Sequence, residues 1–146
     1  MVHALEQIHG LLKAGGSLID IHPVPDVALI KILNAGKQVF SEPYPSQSGE
    51  DFRAADRAIE LILQRNLFHL ERGSIFDFFT YASSASELND YFEIADAYDQ
   101  KPQEGSVEAR RADLFARVDQ IIMTAGPAAE LVYHEMVRIA RLKPIT

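Results

Sequence analysis

The sequence contains no cysteine. Disulfides, thiolate catalysis and cysteine-ligated zinc or iron–sulfur clusters are therefore excluded. Basic residues are in the minority, with 14 Lys and Arg scattered among 21 Asp and Glu. A net charge of −7 without a basic stripe offers no footprint for nucleic acid and none for an anionic lipid surface. The three basic residues of Arg138–Lys143 are interleaved with apolar ones and read as a solvated strand face. Long apolar runs are also missing; none approaches the ~20 residues that cross a bilayer. The opening MVHALEQIHG places His and Glu where a signal peptide needs an unbroken apolar stretch. The expectation is a cytoplasmic protein with no membrane or nucleic-acid partner.

Several catalytic patterns are absent too. The histidines His3, His9, His22, His69 and His134 include no i, i+4 pair that would set two metal ligands on one helical face. There is no P-loop. Tyr81-Ala82-Ser83-Ser84-Ala85 joins a strand to a helix, as a nucleophile elbow does, but lacks the glycines of Gly-x-Ser-x-Gly. Ser84 is better explained as a helix N-cap. No catalytic residue and no metal site is assigned.

What remains is an ordinary globular composition. Hydrophobic residues make up 47% of 146, enough for one compact domain spanning 1–146 with its own core. Leu5, Ile8 and Leu12 share a stripe and predict a helix over Val2–Lys13, closed by Gly15-Gly16. Ser17–His22 reads as a strand with Ile19 and Ile21 on one face and Leu18, Asp20 and His22 on the other. Pro23 and Pro25 end it. Val27–Leu33 and Lys37–Ser41 flank an Asn34-Ala35-Gly36 turn and predict a hairpin.

Ser48 with Asp51 suggests a capping box opening a helix whose apolar stripe is Phe52, Ala55, Ile59, Ile62 and Leu63. Leu67–Ala82 is a long strand, and its aromatics Phe68, Phe76, Phe78, Phe79 and Tyr81 are read as core. Gly73 in its middle suggests a bulge or tight turn. Ser84-x-x-Glu87 opens a third helix. The polar Tyr98–Gly105 stretch is expected to be the most mobile loop. Ser106–Thr124 is a fourth helix, and Ala129–Leu142 a final strand. The fold class is α+β, a mostly antiparallel mixed sheet of about five strands packed with three to four helices.

The run ALEQIHGLLKAGGSLIDIHPV at Ala4–Val24, with its Leu-Leu-Lys-x-Gly-Gly turn between helix and strand, resembles the approach to the fifth strand of class I S-adenosylmethionine-dependent methyltransferases. The later order is similar as well: an aromatic strand ending in Tyr81-Ala82-Ser83-Ser84, a Glu87-Leu88-x-x-Tyr91 helix, and a last strand ending in Leu142-Lys143-Pro144. The resemblance implies a remnant of an α/β Rossmann-like fold. Ser17–His22 would be strand five, Leu67–Ala82 strand six, and Ala129–Leu142 strand seven, lying between them and antiparallel to both. The Val27–Ser41 hairpin would be an insertion after strand five.

The family's cofactor elements, a Gly-rich turn after strand one and an acidic end to strand two, have no counterpart here. They would have to precede Met1. Gly15-Gly16 follows a helix and precedes a strand, the wrong order for a nucleotide-binding turn. The resemblance therefore implies no cofactor for the isolated chain and a methyltransferase-related binding or assembly module, inactive alone. Two alternatives stand beside it: part of an active methyltransferase completed by an N-terminal half on a separate polypeptide, or a small-molecule pocket protein. Asp20, His22 and Tyr81 are the candidate pocket-lining residues. His22 ends its strand where such sheets place ligands. Asp20 either orients that imidazole or faces solvent. His22 itself, read as a structural residue, would bond backbone or water. A homodimer is expected through the open Ser17–His22 edge and the Val2–Lys13 helix, unless the hairpin covers that edge.

Overall fold

The computed structural model describes residues 1–99 and 104–145, without side chains at 96–99. The fold is α+β. Among the described residues four helices accompany one five-stranded antiparallel sheet that is not closed into a barrel. The chain divides into two compact units: Met1–Asp26 with Ser48–Asp77 and Met136–Thr146, and Val27–Gln47 with Phe78–Glu135. Two long strands, β4 (Phe68–Ala82) and β5 (Ala129–Pro144), contribute to both.

In the first unit, helix α1 (Val2–Leu11) leads through Gly15, with φ of 78°, into strand β1 (Leu18–Pro23). Positive φ suits glycine. Strand β1 pairs antiparallel with β5, from Leu18 opposite Leu142 to Pro23 opposite Val137. Helix α2 (Gly49–Gln64) buries Ala55, Ala58, Ile59 and Ile62. Leu5, Ala58, Ile59, Ile62, Phe68 and Leu142 form the core, with Leu18 packed against it. Both helices thus lie on the sheet face that carries Leu18, and β1 turns Asp20 and His22 toward that side. Ile19 and Ile21 point the other way and are 51% and 60% exposed.

In the second unit, β2 (Leu29–Asn34) and β3 (Lys37–Pro43) form the expected hairpin. Its two turn residues, Ala35 and Gly36, have φ of 49° and 76°, the double positive φ of a type I′ turn. A register shift after Ile32 leaves Val39 as an extra residue. Strand β2 pairs with β5, from Leu29 opposite His134 to Asn34 opposite Ala129. Helices α3 (Ala85–Asp99) and α4 (Gly105–Ala125) supply Leu88, Phe92, Leu114, Phe115 and Val118 to a core with Ile30, Ile32, Tyr44 and Leu131. Ser84 accepts the amide of Glu87 at 3.1 Å, and the Glu87 carboxylate accepts the amide and hydroxyl of Ser83, each at 2.7 Å. The box is therefore closed one residue further back than its pattern indicates. Those bonds hold the Glu87 carboxyl below its ordinary range.

Several expectations need correction. Strand β4 is not core: after Phe68 it is exposed almost throughout, with Phe76, Phe78 and Phe79 at 40–43% and Tyr81 at 60%. Among the described residues it pairs with β5 alone, so it is an edge strand, and aromatic content does not bury an edge. Ser48 makes no side-chain cap for α2; the amides of Asp51 and Phe52 bond its carbonyl instead. Helix α3 runs on through Tyr98 and Asp99, where a loop was expected, and residues 100–103 of that loop lie outside the described residues.

Candidate functional site

The most buried polar side chain of the first unit is His22, on β1. Its Nδ1 lies 2.7 Å from Asp20 Oδ2, and its Nε2 lies 3.0 Å from Asp56 Oδ1. Asp56 comes from α2, and it also accepts a 2.6 Å bond from Nη1 of Arg138 on β5. The β1–β5 register sets His22 directly opposite Arg138. The side chains of Asp20, His22 and Asp56 are each less than one-fifth exposed. Buried charges persist when they are paired and hydrogen-bonded, and here they form one connected chain: Asp20, His22, Asp56, Arg138.

The geometry limits the chemistry. Both imidazole nitrogens face carboxylate oxygens, so only a ring protonated on both nitrogens donates to each. Arg138 supplies the fixed positive charge beside Asp56. A histidine held this way has no free nitrogen for a metal or for taking a substrate proton. The cluster fixes α2 against β1 and β5.

Asp20 thus orients the imidazole, and the solvent-facing alternative is overturned. The partners expected for a structural His22, backbone or water, are replaced by two carboxylates. Tyr81 does not belong to the cluster. It sits on the part of β4 in the second unit, 60% exposed, with its ring 6.4 Å from that of Phe79. Asp56 and Arg138 are the residues sequence reasoning missed. For Asp56 a signal existed: it lies four residues after Phe52 and three before Ile59, so an acid sits on the apolar stripe of α2.

Arg138 also borders a cavity of about 340 Å³ whose walls are mainly apolar, among them Ile59, Leu63, Leu70, Ile75 and Ile139. In the second unit a cavity of about 630 Å³ is lined by Tyr44, Glu42, Arg110, Asp113 and Arg117. There Arg117 bridges Glu42 and Asp113, and this holds the Glu42 carboxyl below its ordinary range. Tyr133 donates to Glu135 at 3.3 Å. Burial pushes the Tyr133 phenol and the Glu135 carboxyl both upward.

No family model matches the chain, and neither does any curated protein or solved structure. No helix among the described residues is long and apolar enough to cross a membrane.

Proposed function

We propose that this chain is a methyltransferase-related module that works by binding and assembly rather than by catalysis of its own. The observation that carries the reading is the bare sheet face of the first unit. Helices α1 and α2 cover the Leu18 side, while Ile19 and Ile21 on the opposite side stand more than half exposed. Exposed apolar groups gathered on one face mark interaction surfaces. The neighbour order β1–β5–β4, with β5 between the other two, supports descent from the second half of a Rossmann-like methyltransferase. The saturated His22 supports a non-catalytic role. Such a module belongs in the cytoplasm.

The pocket reading draws its support from the apolar cavity beside Arg138, whose volume falls at the low end for small-molecule sites. Calorimetric titration with S-adenosylmethionine tests the main reading. The isolated chain is expected to show no binding in the micromolar range. A dissociation constant at or below about 1 μM, roughly −8 kcal/mol, overturns it.

A further inference from the structure

We propose that strand β4 is a self-recognition edge, which joins two copies of this chain as an antiparallel twofold strand pair centred on Gly73. The proposal stands on β4 alone and does not depend on any relation to methyltransferases.

Among the described residues β4 pairs only with β5, so its other edge is unpaired over 15 residues. Two devices that protect free edges are missing, since the strand is long and contains no proline, and its formal charges are confined to Glu71, Arg72 and Asp77. Leu70, Ile75 and Phe76, which flank Gly73 within the first unit, are 40–51% exposed, and the open backbone beside them is a template for a second strand.

Gly73 is the second observation. A Cβ there would meet the Ile139 carbonyl at 3.7 Å and Leu70 methyls at 3.7–3.8 Å, all ordinary contacts, and its φ is not positive. Nothing among the described residues requires glycine at this position. Glycine weakens a strand interior and often marks close approach by another backbone.

Charge then selects the register. In an antiparallel pair, opposed residues share a face, so the twofold axis must pass through a residue position. An axis at Ser74 sets Glu71 against Asp77 of the second copy. Axes at Arg72 or Asp77 set a like charge against itself. An axis at Ile75 leaves Asp77 opposite Gly73. An axis at Gly73 opposes His69 to Asp77 and Leu70 to Phe76, each twice by symmetry, and leaves Glu71 opposite Ile75 but already paired with Arg141 of its own chain. Cross-strand pairs of these kinds stabilise a sheet, whereas like charges destabilise it. The Ser17–His22 edge is the weaker candidate: it is six residues long and includes Pro23, which has no amide to donate.

Sedimentation velocity at micromolar concentration should show a species near twice the 16.3 kDa chain mass. His69→Glu should weaken it about tenfold, and adding Asp77→Lys should restore it. Because the chain has no cysteine, Gly73→Cys gives a second readout. Mild oxidation should yield a covalent dimer, since opposed residues at the axis lie ~4.5–5.5 Å apart, whereas Glu93→Cys on exposed α3 should stay monomeric. A monomer in sedimentation overturns the proposal. So does a dimer that neither responds to His69→Glu nor cross-links through Gly73→Cys.

Discussion

Strands β4 and β5 are nearly the same length, 15 and 16 residues, and pair with each other, yet they lie in opposite environments. Strand β5 buries Leu131, Val132, Val137, Ala140 and Leu142. Strand β4 buries only Phe68, although it carries four further aromatic residues. Composition does not separate them; neighbours do. Strand β5 pairs with β1 along 137–142, with β2 along 129–134, and with β4. Strand β4 has β5 alone among the described residues. Burial here follows from how many edges and faces are covered. An aromatic strand left with one covered edge becomes an interaction surface.

The largest effect should come from the polar cover of β5. His22→Ala leaves Asp20 buried without its imidazole partner and Asp56 with Arg138 alone, and a broken buried pair costs about 3–5 kcal/mol. Chemical denaturation measures it. Next, Leu131→Ala on β5 should cost about 2–5 kcal/mol. Phe78→Ala on β4 removes a larger side chain and should cost only ~1–1.5 kcal/mol, because 43% of it is already in water. Equal losses for the two would break the comparison.

The hairpin beside β5 offers a smaller gain. Ala35 holds a left-handed φ of 49°, where asparagine is at home and alanine is strained. Ala35→Asn should raise stability by up to about 1 kcal/mol in the same assay.

The smallest effect concerns Glu135 on β5. Burial raises its carboxyl above the ordinary range, opposed by the Tyr133 bond. A carboxyl raised in the folded state contributes stability below its unfolded value, and that stability is lost as pH rises through the folded value. Glu135→Gln should therefore raise Tm at neutral pH by less than about 3 °C. The difference should vanish as pH falls toward 4, and a constant difference across that range would contradict the burial argument.

Much of this fold was legible in local pattern. The Asn34-Ala35-Gly36 turn marked the hairpin, and Ser84-x-x-Glu87 marked the start of α3, because turns and caps are decided within a few residues. Asp20 and His22 were legible as a pair because strand alternation puts residues two apart on one face. Asp56 and Arg138 complete their cluster from 34 and 116 positions beyond His22, and no local spacing links such groups. The exposure of β4 was illegible for the same reason. Whether Phe78 meets a core or water depends on which strands and helices arrive beside it, and its own sequence is equally suited to either.

Native-state hydrogen exchange, run below the dimer's dissociation constant, tests the contrast between the two strands most directly. Amides of β5 over 129–134 and 137–142 should exchange slowly, because this strand pairs with β1, β2 and β4. Amides of β4 should alternate, slow where they face β5 and fast where they face the open edge. Uniform slow exchange along β4 in the monomer would show a second covered edge and contradict the account.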